Sequence, residues 1–309
     1  MQTPSIAVIG SYGCGLSMKF HKFPESGETI SGGEYFAGPG GKGSNQAIAI
    51  SRLGVKVSLL TSIGSDEFGQ AARALWKREG VDDSCIHVGN RHTGVAFILI
   101  DASGENRILV SMGALEELTP EHVQGYRRFM SSAQVLVVSM ELAKEAVVKA
   151  LEVAKDLGVF TILNPAPAFK LDSKIWNLFD VITPNETEAP ILLGLPVGQN
   201  YQPEQLVQHI REKTNAAIVM TLGANGCLVN EGTKEYLLPA FPVEKIIDTT
   251  GAGDCFTAAL AVAIAEKQTF IEAVKFASAA GAYCVGVKGV IDAIPTRHDI
   301  IKILSKKNY

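Results

Sequence analysis

The sequence predicts an α/β fold built on a mainly parallel sheet with helices on both faces. Two observations support this class. Short apolar runs of strand length alternate with longer stretches whose apolar residues recur at helical spacing, as in parallel strands joined by crossover helices. The composition, 47% hydrophobic and 19% charged over 309 residues, is that of a globular chain long enough for a sizeable core.

The elements follow one another in a regular order. SIAVIG at 5–10 has the pattern of a buried strand, and NQAIAISRLG at 45–54 has that of a helix ended by Gly54. Further strands are predicted at 55–64, 135–140, 159–164, 180–185 and 216–223. Further helices are predicted at 66–80, 143–158, 204–214, 254–266, 270–284 and 297–305.

Two segments, 16–37 and 93–113, break this alternation. Their apolar residues alternate at period two around turn residues at 24–27 and 103–106, which predicts antiparallel strands. We expect these strands to form a small sheet beside the main one. No linker rich in proline or serine separates two units, so we expect a single domain over residues 1–309.

Charge and cysteine usage argue against several functions. The formal net charge of −4 gives no support to nucleic-acid binding. The five cysteines are scattered without a CxxC pair, and the six histidines lack zinc-site spacing. MQTPSIAVIG at 1–10 lacks the pattern of a signal peptide, and the longest apolar run, about ten residues, is too short to span a bilayer. We therefore expect a cytoplasmic protein with no membrane partner.

Glycine concentrates beside polar residues in three stretches, 10–15, 38–46 and 249–256. A glycine-rich helix N-terminus presents unpaired N–H groups and is suited to bind an anion. Neither common nucleotide motif is present. Gly43 stands where a P-loop needs serine or threonine, and Met18 occupies the third glycine position of a dinucleotide fingerprint.

The stretch DTTGAGDCF at 248–256 is the most informative of the three. Gly251, Ala252 and Gly253 can direct backbone N–H groups at a phosphoryl group in transit, whose oxygens carry the charge of the transition state. Asp254, in the first turn of the predicted helix, could then accept a hydroxyl proton as the oxygen attacks phosphorus. The alternative is a helix start with a capping aspartate, which is common in first turns.

Five motifs, in order along the chain, resemble those of the ribokinase-like (PfkB) sugar kinase family, and ribokinases most of all. They are GGKGSNQAIAISRLG (40–54), NPAP (164–167), TPNETE (183–188), TLGANG (221–226) and DTTGAGDCFTAALA (248–261). The resemblance runs from about residue 5 to residue 305. It implies a three-layer sandwich with a mainly parallel sheet, plus a small β-sheet lid formed by 16–37 and 93–113. Such lids exclude water so that phosphoryl transfer competes with hydrolysis.

The same resemblance implies an ATP-dependent carbohydrate kinase that phosphorylates a primary hydroxyl of a small sugar or sugar-like compound, with a pentose favoured. Asp254 would be the base, and Gly251, Ala252 and Gly253 would form the anion hole. The acceptor would contact Gly40, Gly41, Lys42, Gly43, Asn45 and Glu141. The nucleotide would contact Asn185, Thr221, Gly223, Gly226 and Ser278, and Glu188 would organise Mg²⁺ through water molecules.

An activating K⁺ ion is also implied by the resemblance. Its ligands would be Asp248 and the carbonyl groups of Thr250, Cys284, Val287, Gly289 and Ala293. Lids of this family often pair, so a homodimer is one alternative for the oligomeric state. Two of the proposed site residues have simpler interpretations: Glu141 could end a strand facing water, and Asn185 could be a turn residue after Pro184.

The chain departs from the family pattern after its first strand, where the family's sugar-binding Asn and Asp correspond to Gly13 and Gly15. An ionised acceptor for a vicinal diol would be worth roughly 1.5–3 kcal/mol, and two glycines leave extra volume. Three hypotheses stay open. The first is a kinase for a different or bulkier acceptor, selected by Tyr12, Glu141 and the lid. The second is a ribokinase that binds its sugar through neighbouring residues instead. The third is a nucleotide-binding or sugar-sensing protein with little turnover. The presence of Asp254 argues against the last, because a binding protein needs no base.

Overall fold

The structure, a computed structural model, describes residues 4–306; residues 1–3 and 307–309, at the ends of the predicted domain, lie outside the described residues. The strands are β1 (Ser5–Ile9), β2 (Gly13–Lys19), β3 (Glu34–Gly40), β4 (Lys56–Leu60), β5 (Ser62–Ile63), β6 (His87–Val88), β7 (Gly94–Ile100), β8 (Asn106–Ser111), β9 (Val135–Ser139), β10 (Phe160–Asn164), β11 (Val181–Ile182), β12 (Ala217–Thr221), β13 (Cys227–Glu231) and β14 (Lys234–Leu238). The α-helices are α1 (Lys42–Arg52), α2 (Glu67–Glu79), α3 (Pro120–Gly125), α4 (Arg127–Ser132), α5 (Lys144–Leu157), α6 (Glu188–Leu193), α7 (Pro203–Arg211), α8 (Ala252–Ala265), α9 (Phe270–Cys284) and α10 (Arg297–Ser305).

The main sheet has eight strands in the order β14-β13-β12-β11-β10-β9-β1-β4. The six strands from β12 to β4 pair in parallel, with Ile6 of β1 opposite Val57 of β4 and Val135 of β9. The remaining two strands, β13 and β14, add an antiparallel hairpin at one edge. The predicted mainly parallel sheet is therefore confirmed, and the hairpin is an addition that the apolar pattern did not predict.

Helices cover both faces of this sheet, which explains why its strands are apolar on both sides. In β1, Ile6 and Val8 belong to one buried cluster, which includes residues of α1, α2, α8, α9 and α10. Ala7 and Ile9 belong to a second buried cluster, which includes residues of α3, α4, α5, α6 and α7. Burial of these two apolar layers supplies the main driving force for folding and confirms the three-layer architecture.

A second sheet, which we call the small sheet, has the strand order β3-β2-β7-β8. It forms from the two period-two segments, although β2 begins at Gly13, before the predicted start at 16. β2 pairs antiparallel with β3 and parallel with β7, and β7 pairs antiparallel with β8. β3 ends at Gly40 and leads at once into α1, so this sheet is joined directly to the start of that helix.

Several element boundaries differ from the sequence prediction. The helix predicted from residue 45 begins at Lys42, and the strand predicted at 55–64 divides into β4 and β5. The helices α3, α4 and α6 have six residues each, which is too short to show a helical period. Within residues 4–306, no helix combines the length and the apolar character needed to cross a membrane.

Helix α8 places its own first turn inside the protein. Eleven of its fourteen residues are buried, as expected for a helix that is apolar all round. It packs against α1 and α9, mostly through small alanine side chains that permit close approach. A carboxylate in the first turn of such a helix has little contact with water, which matters for the site described next.

Candidate active site

A cavity of about 210 Å³ opens where the carboxyl ends of parallel strands meet the starts of α1 and α8. Asn164 and Thr221 are the last residues of β10 and β12, and Thr183 follows β11 directly. The cavity is lined by Lys42, Asn164, Ala166, Thr183, Asn185, Glu188, Thr221, Thr249, Gly251, Gly253, Asp254, Phe256 and Thr257. Ligands of open α/β sheets bind at this edge of the sheet. The fold thus brings together residues that are far apart in the sequence, from Lys42 to Thr257.

The start of α8 forms one wall of the cavity. Gly251 precedes the helix with φ of 80°, in the left-handed region that favours glycine. The first N–H groups of a helix have no intrahelical partner, and here that of Ala252 reaches the Thr249 carbonyl at 3.3 Å. A side chain at Gly253 would meet no atom within 4 Å, so the space beside this turn is open. Open space at the positive end of a helix is suited to an anion.

Asp254 lies in this first turn and is only 5% exposed. Its Oδ2 accepts a hydrogen bond from Asn45 Nδ2 at 2.8 Å, and its Oδ1 accepts one from Gln46 Nε2 at 3.4 Å. α8 has no side-chain cap, and both of these partners come from α1, so the carboxylate is held across the cavity.

The surroundings of Asp254 raise its pKa above the ordinary value. Burial is the main cause, and the charge of Glu141 adds to it. The charge of Lys42 and the hydrogen bonds from Asn45 and Gln46 act in the opposite direction without cancelling the burial. A desolvated carboxylate with a raised pKa is a stronger base than a surface aspartate, which suits proton abstraction.

Lys42 is the first residue of α1 and carries the positive charge of the cavity. Burial alone would lower its pKa, but the carboxylates of Asp254, Glu141 and Glu188 outweigh the burial and raise it. The ammonium group therefore stays charged beside the base. This arrangement can attract an anionic ligand and partly neutralise the three surrounding carboxylates.

Glu141 lies two residues beyond β9 and points toward the start of α1. Its Oε2 accepts from the Ser11 hydroxyl and from the backbone N–H of Lys42, the latter at 3.2 Å. The Ser11 hydroxyl also accepts from the Lys42 N–H at 2.9 Å. Glu141 is thus only partly exposed and tied to α1, which does not match a strand end facing water.

The glycines before α1 allow this close approach. Gly41 has φ of 93°, and a side chain there would come within 2.5 Å of the Tyr12 Cα. A side chain at Gly43 would come within 2.5 Å of the Gly10 backbone. These two glycines therefore serve the packing of α1 against the β1–β2 connection, whatever else they contact. Gly40 ends β3 beside Gly13.

Asn185 and Glu188 form a short turn before α6. Asn185 Oδ1 accepts from the N–H groups of Thr187 and Glu188 at 2.9 and 2.8 Å, so its side chain does serve the turn after Pro184. Glu188 Oε2 accepts from the Asn185 N–H at 2.9 Å. Burial raises the pKa of Glu188. Both side chains nevertheless line the cavity, so the structural interpretation of Asn185 and a role in the site are compatible.

The predicted nucleotide residues lie beside this turn. The Thr221 N–H donates to the Pro184 carbonyl at 2.9 Å, which places Thr221 next to Asn185. The loop from Gly223 to Gly226 is closed by the Leu222 N–H, which donates to the Gly226 carbonyl at 2.8 Å. Ser278, on α9, has its hydroxyl 3.8 Å from the Cys227 sulfur. Of these residues only Asn185 and Thr221 line the cavity itself.

Asp248 joins the two loops predicted to hold a monovalent cation. Its Oδ1 accepts from the Thr250 N–H at 2.9 Å, and its Oδ2 accepts from the Gly289 N–H at 3.2 Å. Burial alone would raise the pKa of Asp248, but these hydrogen bonds and the charge of Lys288 together lower it. The Cys284 thiol lies 3.6 Å from the Thr250 carbonyl, and the Val287 N–H donates to the Cys284 carbonyl at 3.1 Å.

Other metal sites find no support in the part of the chain that the structure describes. Residues 4–306 contain no group of three or more His, Cys, Asp or Glu side chains that could hold a metal ion. Ala293, the last of the predicted carbonyl ligands, is fully buried beyond Gly289.

Gly13 and Gly15 lie on one face of β2, but their surroundings differ. A side chain at Gly13 would approach the Gly94 carbonyl oxygen to 2.9 Å, because β2 and β7 run side by side there. A side chain at Gly15 would make only ordinary contacts of 3.7 Å with the Gly38 carbonyl oxygen and Ile98. Packing therefore requires glycine at position 13 and leaves position 15 free.

Tyr12 does not take part in the site, contrary to the selectivity role considered from sequence. Its ring is 2% exposed and packs edge-on against Trp76 with centroids 5.1 Å apart. Its hydroxyl lies 3.4 Å from the Phe68 carbonyl.

Several cavity residues were not given a role from sequence. They are Asn164, Ala166, Thr183, Thr249, Phe256 and Thr257. Gln46 does not line the cavity but contacts Asp254, and it was not given a role either. Asn164 and Ala166 belong to the NPAP motif, and Gln46 is the last residue of the glycine-rich stretch at 38–46. Thr257, a polar residue within the largely apolar helix α8, was a usable signal, because burial without a hydrogen-bonding purpose is unfavourable.

Comparison with known proteins gives one consistent result. The family described as pfkB family carbohydrate kinase matches residues 3–297. A ribokinase of Haemophilus influenzae is 36% identical over 301 residues, covering 97% of this chain and 98% of that protein. A deoxyribokinase of Salmonella typhi is 33% identical over 302 residues, with 97% and 98% covered. The structure of Arabidopsis thaliana ribokinase complexed with ribose and ATP superposes with a TM-score of 0.92 at 29% identity, covering 99% of this chain and 100% of that one.

Proposed function

The chain belongs to the pfkB family of carbohydrate kinases, and from that membership we propose that it transfers the γ-phosphoryl group of ATP to a primary hydroxyl of a small sugar or sugar-like compound. The observation that carries the proposal is the buried Asp254 beside the open, positive end of α8. A base and an anion site at one helix start are what in-line phosphoryl transfer requires.

Asp254 acts as the general base in this proposal. Its carboxylate accepts the proton of the attacking hydroxyl, while Asn45 and Gln46 hold its two oxygens. The N–H groups at Gly251, Ala252 and Gly253 stabilise the charge that develops on the phosphoryl oxygens. Lys42 keeps a positive charge beside both groups.

The nucleotide binds on the side of Asn185 and Thr221. The Arabidopsis thaliana relative is described as complexed with ribose and ATP, which supports ATP as the donor. Thr221 and Asn185 line the cavity there, and the loop from Gly223 to Gly226 and Ser278 lie just beyond it. Glu188 supplies a carboxylate that would hold Mg²⁺ through water molecules, and the ion would neutralise phosphate charge.

A monovalent cation, which we propose to be K⁺, fits the loops joined by Asp248. The lowered pKa of Asp248 keeps an ionised oxygen there, and the carbonyl groups of Thr250, Cys284, Val287, Gly289 and Ala293 are oxygen donors from the same two loops. Asp248 already links these loops, so the cation would strengthen a connection that the fold provides.

The acceptor binds between the start of α1 and the small sheet, which acts as a lid. Glu141, Lys42, Asn45 and the backbone at 40–43 would contact it. The small sheet contacts the loop that contains Gly289, since Lys288 Nζ lies 5.3 Å from the centre of the Phe36 ring. We favour a pentose, because relatives described as ribokinase and deoxyribokinase match nearly the whole chain.

The small sheet also suggests a homodimer. It exposes large apolar side chains on both faces, with Met18, Tyr35, Phe97 and Leu109 on one face and Phe36, Ile108 and Val110 on the other. Contiguous exposed apolar side chains often mark an interaction site, and the face that carries Leu109 would be covered if two such sheets paired. Sedimentation equilibrium of the protein beside Leu109→Lys would report the change from dimer to monomer.

The first experiment is a measurement of ADP release with Mg·ATP and K⁺ across pentoses, deoxypentoses, hexoses, polyols and nucleosides. We expect strong turnover with at least one acceptor and loss of that turnover in Asp254→Asn. ATP binding measured by calorimetry should persist in the variant. If ATP binds but no acceptor gives turnover, the protein is a nucleotide-binding or sugar-sensing member of the family instead.

A further inference from the structure

We propose that Gln46 is a positioning residue for the base Asp254. It holds the carboxylate of Asp254 as part of a hydrogen-bond chain that crosses the floor of the cavity. The chain runs from Asp254 through Gln46, Asn164 and Thr183 to Thr257. The inference rests on the proposed function, because it takes Asp254 as the base. It adds a role for a side chain that touches the base and no substrate.

The geometry places Gln46 between two acceptors. Its Nε2 donates to Asn164 Oδ1 at 3.0 Å and to Asp254 Oδ1 at 3.4 Å. Asn164 Nδ2 donates to the Thr183 hydroxyl at 3.4 Å, and the Thr183 and Thr257 hydroxyls are 3.4 Å apart. Gln46 itself is 0% exposed, so water does not compete for its amide. The chain connects α1, β10, the end of β11 and α8.

The charge of Asp254 fixes the direction of the bonds from Gln46 as far as Thr183, and between Thr183 and Thr257 either hydroxyl can donate. An ionised carboxylate only accepts hydrogen bonds, so the amide nitrogen of Gln46 must face it. The second N–H of that nitrogen then requires the oxygen of Asn164, whose nitrogen is left to face Thr183. The Thr183 hydroxyl, once it accepts from Asn164, is free to donate to Thr257. Bonds aligned in this way polarise one another and strengthen the contact at the charged end.

The unused half of the Gln46 amide supports a purpose beyond packing. Gln46 Oε1 has no hydrogen-bond partner among residues 4–306, and its burial is therefore unfavourable. Its neighbours in α1, such as Ala47 and Ile48, are apolar and fully buried. An apolar side chain would avoid the unpaired oxygen, so the N–H groups are what the position requires.

Gln46 and Asn45 together fix the orientation of the base. Each donates to a different oxygen of Asp254, so the carboxylate cannot rotate without breaking a bond. Donors also favour the ionised form and oppose the effect of burial on the pKa of Asp254. Removing the Gln46 amide should therefore leave a base that is harder to ionise and less well aligned.

The test compares wild type with Gln46→Met, which keeps the length of the side chain and removes the amide. With the best acceptor from the panel, we expect the acidic limb of the kcat/KM profile to move up by about 0.5–1 pH unit. At pH values on that limb, kcat/KM should fall about tenfold at most, since a shift of 1 unit corresponds to a tenfold change. The KM for ATP should change less than about twofold, because the nucleotide contacts are intact.

Ser44→Ala is the matched control. Ser44 is also buried in α1, but its hydroxyl accepts from Trp76 Nε1 at 2.9 Å and does not belong to the chain. This variant should lose stability without moving the acidic limb. If both variants lose stability and neither moves the limb, Gln46 is structural and the proposal is wrong. If Gln46→Met does not fold, Gln46→Glu replaces it, and the second carboxylate should move the limb upward further.

A second measurement separates this proposal from the proposed function. Aspartate labelled with ¹³C at the side-chain carboxyl carbon (Cγ) reports each carboxylate by NMR, and Asp254→Asn identifies the signal of Asp254. The titration midpoint of that signal should rise in Gln46→Met and stay unchanged in Ser44→Ala. A wild type without kinase turnover would refute the proposed function and leave this titration as the test of Gln46. An unchanged midpoint in Gln46→Met would overturn the positioning role even in an active kinase.

Discussion

The main domain and the small sheet differ in how many charged and polar side chains they carry at the proposed site. The main-domain side concentrates Lys42, Asp254 and Glu188 with amides and hydroxyls at the ends of strands and helices. The small sheet, which we propose as the lid, has Gly13 and Gly15 on one face of β2, with no polar side chain at either position. The difference teaches that the charged and polar groups of the site are held by the main sheet and its helices, while β2 offers mainly backbone and space at these two positions.

The largest effect should come from the base on the polar side. Asp254→Asn keeps the shape and removes the acceptor of the proton, so we expect kcat to fall about 10²–10⁴-fold while ATP binding remains. Steady-state ADP release and calorimetry measure both quantities. Asp156→Asn is a control, because that carboxylate is 72% exposed and far from the cavity-lining set. Equal losses in the two variants would remove the contrast between the two sides.

The next largest effect should come from the cation among three carboxylates. Lys42→Met removes the charge that offsets Asp254, Glu141 and Glu188, so kcat/KM for ATP should fall about 10–100-fold. The pKa of Asp254 should rise as well, since Lys42 lowers it. Initial rates across pH measure both effects. Lys56→Met, at an exposed position in β4, should leave the profile unchanged, and a similar profile for Lys42→Met would contradict the assignment.

In the small sheet, substitutions of Gly13 and Gly15 should differ in their effect on the free energy of unfolding. Gly13→Ala forces a contact of 2.9 Å with the Gly94 carbonyl oxygen and should lower the free energy of unfolding by about 1–3 kcal/mol. Gly15→Ala meets only contacts of 3.7 Å and should change it by less than about 0.5 kcal/mol. Urea denaturation of both variants measures the difference. Equal effects would show that the two positions are packed alike.

A substitution at position 15 should also change the KM for the acceptor. Gly15→Asp adds a carboxylate where a side chain makes only ordinary contacts, and if β2 contacts the acceptor as proposed, that carboxylate can accept hydrogen bonds from a vicinal diol. We expect the KM for ribose to fall about tenfold, and that for an acceptor without a diol to stay the same or rise. Comparing ribose with 2-deoxyribose in one assay checks this. An unchanged ratio would mean that β2 does not contact the acceptor.

The smallest effect should be on the free energy of unfolding, which the buried carboxylate of Asp254 lowers. The folded-state pKa of Asp254 is raised, so the cost to stability begins as pH rises above the ordinary aspartate pKa and is complete above the raised value. Asp254→Asn should therefore be more stable than wild type near neutral pH, by about 0.5–2 kcal/mol. The difference should shrink as pH falls and vanish below the ordinary aspartate range, where both states are protonated. A variant that is less stable at pH 7 would show that Asp254 is structural.

Local patterns in the sequence predicted a large part of this protein. Alternating apolar runs gave the parallel strands, because strands covered on both faces have no polar side, and α10 has the predicted bounds 297–305. The GAGD stretch predicted that Asp254 lies in the first turn of a helix, and the structure places it there. The edge hairpin β13–β14 and the six-residue helices escaped prediction, since short or half-exposed elements have weak periodicity.

Sequence by itself determined the fold class, the family and the chemical type of the residues at the helix start, because these follow from local spacing and composition. Only the tertiary structure decided which side chains meet. It turned Tyr12 into the core, joined Asp254 to Asn45 and Gln46 from a helix about 200 residues away, and distinguished Gly13 from Gly15. Each of these depends on contacts between distant segments, whose distances and burial no local pattern records.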